Sequence, residues 1–293
     1  MSRPVFLAAA AVLAMSASSV VAADRDWSDV GKALGKDGQM QPGGVYRVAL
    51  PRSDLKVTLD GVQIKPALAL GSYLAFQKTG KEAMVMGDLV LLQEEVNPVM
   101  KKLIESGIEI TAIHNHLLRA TPTVMYMHYM GHGDAAKLAA AVRSALEESK
   151  TPLEAPAKPA SQPAIDLDQA AIEKTLGAKG TPNGGVLGFT VPRADAIKEH
   201  GTTIPAGMGM GTVINFQPTG GGKAAITGDF VLTAAEVNPV LKTLRENGIE
   251  VTALHSHMLN EQPRLFFMHF WANDDAQKLA EGLNAALGKV KRK

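Results

Sequence analysis

Six of the eight histidines fall into three pairs separated by 141 residues: His114 with His255, His116 with His257, and His128 with His269. Neutral imidazole is the commonest nitrogen ligand of divalent transition metals. The chain has no cysteine, so any metal must be held by nitrogen and oxygen donors. In each copy two of the three histidines form His-x-His, and on a strand residues i and i+2 project to one face. If the following strand returns with His255 opposite His269 and His257 opposite Phe267, across a loop over residues 260–264, His269 joins them on that face. His114, His116 and His128 follow the same pattern. Three such imidazoles suit Zn²⁺ or a similar divalent ion, with a fourth position left for water. A slip of one residue would send the third histidine to the other face. The competing reading is that these are polar residues satisfied within a half-buried sheet and inherited by duplication. His132 and His200 have no repeat partner.

Glu95 and Glu236 are also repeat-equivalent and stand where a strand runs into a helix. Such a carboxylate can ligate a metal, orient an imidazole, act as general base on metal-bound water, or cap the helix. Thr233-Ala234-Ala235-Glu236 reads as a capping box, whereas copy one has Leu92 in place of Thr233 and still keeps Glu95. Glu261 completes His-x-His-x-x-x-Glu in copy two only, where copy one has Ala120. Phe266, Phe267, Phe270, Trp271, Tyr126 and Tyr129 read as core and sheet surface.

The elements that must position these residues are written twice. Residues 87–117 superimpose on 228–258 with 19 of 31 positions identical. The match extends to a first short helix, where Val30 and Leu34 answer Ile172 and Leu176. Residues 151–163 hold four prolines among Ala, Ser and Lys and read as a linker. The division expected is a signal peptide at 1–23, a first repeat domain at 24–150, a linker at 151–165 and a second repeat domain at 166–293, each half folding on its own. Within a copy, strands are expected at 45–50, 73–77 and 83–92, and at 186–191, 212–217 and 224–232. Asn97 and Asn238 are the expected N-caps of helices opening on Pro98 and Pro239 and stopping at Gly107 and Gly248. A hairpin follows, and Asp134 and Asp274 are expected to cap a closing amphipathic helix. This order predicts an α+β fold of two homologous domains, each a largely antiparallel sheet with helices packed on one face.

Composition narrows the function. The chain has 293 residues, 46% hydrophobic and 20% charged, within the range of globular proteins. Arg3, an apolar run and a small-residue stretch ending at Ala22-Ala23 form the pattern of a secretory signal, so a periplasmic or secreted protein is expected. Without that segment Lys+Arg and Asp+Glu balance at 29 each, which gives no electrostatic reason for nucleic acid as partner. No integral membrane segment is expected after cleavage.

Gly-Asp-Phe-Val-Leu from Gly228, Glu-Val-Asn-Pro-Val from Glu236, the run from Gly248 through His255 and His257, and Pro-Arg-Leu-Phe-Phe-Met-His-Phe-Trp from Pro263 resemble the LppY/LpqO lipoprotein family. That resemblance covers the expected mature chain twice. It implies an envelope or secreted protein and no particular activity. The lipoprotein members carry a cysteine to acylate; this chain has none, which implies a soluble periplasmic protein. Copy one has Arg119-Ala120-Thr121 where copy two has Asn260-Glu261-Gln262, so equal function of the copies is in question. The sequence thus points to binding of a divalent transition metal such as zinc, with metal-dependent hydrolysis as one extension. A non-catalytic envelope module for a small-molecule ligand is the alternative, and its protein partner is not defined. Metal-free phosphoester chemistry with paired histidines is a third class.

Overall fold

The computed structural model describes residues 27–154 and 163–292. The expected signal peptide and the central part of the linker lie outside them.

Copy one opens with helix α1 (Ser28–Leu34), followed by β1 (Gln39–Gln41) and β2 (Val45–Pro51). A short arm comes next, made of β3 (Thr58–Leu59), β4 (Val62–Gln63) and α2 (Pro66–Ala69). The chain continues through β5 (Gly71–Thr79), β6 (Glu82–Leu92), α3 (Gln93–Glu105), β7 (Glu109–His114), β8 (Val124–Gly133) and α4 (Ala135–Leu146). Copy two repeats the order: α5 (Gln169–Leu176), β9 (Thr181–Asn183), β10 (Val186–Pro192), β11 (Ile197–Glu199), β12 (Thr202–Ile204), then a 3₁₀ turn at Ala206–Met208. It closes with β13 (Gly211–Gly220), β14 (Lys223–Thr233), α6 (Ala234–Glu246), β15 (Glu250–His255), β16 (Leu265–Asp275) and α7 (Ala276–Leu287). Each copy forms a six-stranded antiparallel sheet, β1-β2-β5-β6-β8-β7 and β9-β10-β13-β14-β16-β15. The α+β expectation, a sheet with helices on one face in each copy, holds.

Alternation along the strands divides each sheet into two faces. On β6, Val85, Leu89 and Leu91 pack with α1, α3 and α4. Met84, Met86 and Val90 point the other way, into clusters that draw on both copies. On β14, Ile226, Phe230 and Leu232 face α5, α6 and α7, while Ala225 and Val231 face the opposite sheet. The molecule is therefore layered helices, sheet, sheet, helices, with a shared apolar interior between the sheets.

The two arms cross that boundary. From the copy-one arm, the Lys65 amide donates to Gln217 Oε1 (2.9 Å) and the Leu68 carbonyl accepts from Asn215 (3.0 Å). From the copy-two arm, the Gly207 carbonyl accepts from Arg47 (3.0 Å). Arg119, on copy one's departure from the repeat, forms a two-pronged pair with Glu250 of copy two at 2.8 and 3.0 Å.

Three helix starts differ from expectation. α3 and α6 begin at Gln93 and Ala234, so Pro98 and Pro239 lie inside the helices and Asn97 and Asn238 are not caps. Glu95 Oε2 accepts from the Leu92 amide (2.8 Å) and Glu236 Oε2 from the Thr233 amide (2.7 Å), which fixes the first turn upstream of the proline. The proline then forfeits a single intrahelical bond. The closing helix of copy two is capped by Asp275, which accepts from the Lys278 amide (2.8 Å), and not by Asp274.

Candidate metal centre

The sequence leads one to expect two separate three-histidine sets; the structure brings all six histidines together where the sheets face each other. His114 and His255 stack with ring centroids 3.5 Å apart. His116 stacks on His269 (3.5 Å) and His128 on His257 (3.7 Å). Each of these three close pairs takes one ring from each copy, and the exchange of partners follows a pseudo-two-fold axis through the 114/255 pair. Tyr126 lies against His116 (3.4 Å) and Phe267 against His257 (3.5 Å), so both aromatics wall the cluster.

A β-bulge in each copy aims the His-x-His segment. In β15 the register runs Glu250 to Trp271 and Val251 to Phe270, then shifts so that Ala253 opposes His269 and His255 opposes Phe267. The extra residue is Thr252. Continued without the bulge, the ladder would set His255 against Phe266, on the helix side. Thr111 does the same in β7, where Ala112 opposes His128. The expected pairing of His255 with His269 is thus displaced by two residues, to Phe267, and an even displacement keeps the shared face. Ladder pairing ends at His114 and His255, so His116 and His257 sit just beyond the strands, with their rings 4.8 and 5.0 Å from their neighbours.

Two residues not singled out by the sequence reading belong to this cluster. Asp88 is the register partner of His128, and Asp229 that of His269. Asp88 Oδ1 lies 3.8 Å from His128 Nε2. The two oxygens of Asp229 lie 3.8 Å from Nε2 of His269 and of His257. The signal was present in the sequence as an acid in the interior of a largely apolar strand, at equivalent positions of both copies.

The ring orientations are set from behind. His269 Nδ1 donates to the Gly228 carbonyl at 2.9 Å, and His128 donates likewise to Gly87. A carbonyl only accepts, so each Nε2 carries its lone pair toward the cluster. Gly228 is itself required, because a Cβ there would overlap the Val213 carbonyl.

Nε2 of all six histidines and Oδ1 of Asp88 and of Asp229 are buried without a hydrogen-bond partner. Burial, reinforced by neighbouring imidazoles, holds His116, His128, His257 and His269 well below the usual histidine range. The half-buried His114 is pushed down to about 3 and His255 to about 4, again chiefly by burial. Burial raises the Asp88 carboxyl to about 8, against the pull of Arg47, and holds Asp229 well above the carboxylate range. The cluster is thus a set of neutral, lone-pair-bearing donors. Four overlapping triads have ligand atoms within 4.8 Å of one another: His114/His116/His128, His114/His255/His257, His116/His255/His269 and Asp229/His257/His269. Two of the triads draw on both copies.

Glu95 and Glu236 stand elsewhere. Arg52, fully buried, donates to both oxygens of Glu95 at 2.7 and 3.2 Å, and the Lys150 amide donates to it as well. Arg193 and the Lys291 amide treat Glu236 in the same way. Burial opposes ionisation, but these bonds hold both carboxyls below their ordinary value. Their oxygens are committed to a cation and to helix starts, and neither joins a metal-capable triad. Glu261, fully buried, accepts from the Leu265 amide (2.8 Å) and ties down its own loop.

The family described as Domain of Unknown Function (DUF1259) matches the chain twice, over residues 28–148 and 170–289. The chain belongs to this family. The two matched stretches coincide with the two sheets and their helices, so each family unit contributes half of the histidine cluster. No curated protein matches the chain. Among solved structures it is similar to a trimeric bacterial microcompartment shell protein, PduB, at 14% identity and a TM-score of 0.22, covering 87% of this chain and 90% of that one. It is also similar to EtuB from Clostridium kluyveri, at 10% identity and a TM-score of 0.20, covering 85% and 90%. Likenesses this slight carry no functional argument.

Proposed function

We propose that this is an exported, periplasmic or secreted protein that binds divalent transition metal, zinc among the candidates, in the six-histidine cluster between its repeats. The observation that carries this reading is the set of six buried Nε2 atoms without a partner. A buried polar group left unpaired costs stability, and one cation satisfies several such acceptors at once. Neutral imidazoles held by backbone carbonyls at Nδ1 are the form in which histidine ligates. Export rests on the signal pattern around Arg3 and Ala22-Ala23, and the resemblance to the LppY/LpqO family belongs to the same proposal. Among the described residues no helix is long and apolar enough to cross a membrane.

Metal-dependent hydrolysis is the less favoured extension. Glu95 and Glu236, the carboxylates first suited to activate water, are engaged by Arg52 and Arg193. The non-catalytic module remains the competing class.

Elemental analysis of tag-free protein, followed by titration calorimetry with Zn²⁺, Mn²⁺, Cu²⁺ and Ni²⁺, tests the proposal. Tight binding that is lost in His255→Ala or His257→Ala is expected. Weak binding indistinguishable between wild type and variants would reject it.

A further inference from the structure

Two gaps in the cluster each set acceptors against acceptors. At one, Asp88 Oδ1 faces His128 Nε2 across 3.8 Å, with the ring's proton committed to Gly87. At the other, Asp229 faces Nε2 of His257 and of His269 at 3.8 Å each, with the His269 proton committed to Gly228. Where the ring proton is committed elsewhere, at Asp88 with His128 and at Asp229 with His269, an ionised carboxylate finds no donor across the gap, and each pair invites a cation. The pseudo-two-fold axis exchanges the two gaps, and each is built on its own cross-strand aspartate–histidine pair.

The donor supply agrees. Six Nε2 atoms, two Oδ1 atoms and His114 Nδ1 are buried without a partner, and at one ligand atom per side chain the cluster offers eight. A four-coordinate ion such as Zn²⁺ takes four. One ion would leave half of the donors unsatisfied, whereas two use the full set.

We infer that the cluster is a two-ion centre in which Asp88 and Asp229 are carboxylate ligands, one to each ion, and the six histidines of both repeats are divided between them. This inference rests on the metal-binding reading above. The stacked His114 and His255 on the axis supply one ring to each ion, and mixed triads such as His116/His255/His269 show that ligands cross between the repeats.

The two positions are not equal. Arg47 lies over the Tyr73 ring at 3.5 Å, and Tyr73 is the register partner of Asp88. The repeat equivalent of Arg47 is Gly188. Arg47 acts on Asp88, whereas the charged neighbour of Asp229 is Asp88 itself, so a cation is disfavoured at the Asp88 position and the Asp229 position fills first.

The test is ion counting on the intact chain by native mass spectrometry during titration with Zn²⁺, alongside paramagnetic resonance of the Cu²⁺-loaded protein. Two ions per chain in unequal steps, and a spin-coupled copper signal at saturation, are expected. Asp229→Asn should remove the tighter step and Asp88→Asn the weaker, each by about tenfold or more in affinity, with circular dichroism confirming that the variants fold. The copper signal needs no variant and decides the matter if one fails to fold. Saturation at one ion with an uncoupled signal would overturn the two-ion inference while leaving metal binding intact. Two ions bound equally well by both Asn variants would remove the carboxylates from the ligand set. No ion of either metal would reject the metal reading and this inference together.

Discussion

Asp229 stands directly across the β14–β16 ladder from His269, its Oδ1 3.8 Å from a ring nitrogen whose opposite neighbour is hydrogen-bonded to Gly228, the residue preceding the aspartate. A single Gly-Asp dipeptide thus addresses both nitrogens of one imidazole. Burial holds that carboxyl well above the usual carboxylate range and so favours its uncharged form.

Metal uptake should therefore release protons from the aspartates rather than from the histidines. At pH 7 the histidines are already neutral, while Asp88 is raised to about 8 and Asp229 is held above its ordinary range by burial. Net proton release is expected on saturation, with about one proton from Asp88. Calorimetry in buffers of different ionisation enthalpy measures this, and a value near zero would contradict it.

The metal-free protein should be most stable near pH 6.5. A histidine held below its ordinary 6.5 binds protons better when unfolded, so its contribution is lost as pH falls below 6.5. A carboxyl raised from 3.8 to about 8 binds its proton better when folded, so stability is lost as pH rises through that interval. Six histidines outweigh two carboxyls on the acid side, and the carboxyls alone act above 6.5. Calorimetric melting in chelator from pH 4.5 to 8.5 should trace this asymmetric dome, and Asp229→Asn should flatten its alkaline limb. A plateau from 4.5 to 8.5 would count against it.

Glu236→Gln separates structural from metal roles. It weakens the pairing of a buried guanidinium, and a cost of about 1–3 kcal/mol is expected in urea unfolding. Metal stoichiometry should not change, because Glu236 lies on the Arg193 network. Loss of metal in this variant would return the glutamate to the centre.

Deleting Thr252 should restore an unbulged ladder and turn His255 toward the helix face. The expected result is loss of most bound metal, with the sheet otherwise retained by circular dichroism. Unchanged metal content would show that the bulge does not aim the site.

The interior between the sheets predicts one cooperative transition for the whole chain. Two of the four apolar clusters mix residues of both copies, such as Met84 with Phe267, and Val90 with Trp271. Protease cleavage within residues 155–162 should leave fragments that stay associated on gel filtration. Two fragments that separate and melt independently would instead support the autonomy first expected from the duplication.

Much of each half was legible because its signals are local. Alternating β-branched residues marked β7 and β15, helical spacing marked α4 and α7, and His-x-His parity placed two rings on one face. The starts of α3 and α6 were misplaced because a side-chain cap from Glu95 or Glu236 outweighed the preference of proline for a first turn. The centre itself was only half legible. Which face of one sheet meets which face of the other is decided by arms and apolar clusters far apart in sequence, so the meeting of His114 with His255 leaves no trace in spacing. Asp88 and Asp229 were overlooked because their partners are identifiable only once cross-strand register is known.

The pseudo-two-fold axis through His114 and His255 has an evolutionary corollary. A polypeptide carrying a single unit of this kind would possess three histidines and one aspartate, half of the donors found here, and would complete the set only against a second copy of itself. Joining two units in tandem makes that encounter intramolecular and independent of protein concentration. It also releases the halves from identity, so that one side can carry Arg47 where the other carries Gly188, an asymmetry that no homodimer of identical subunits could encode.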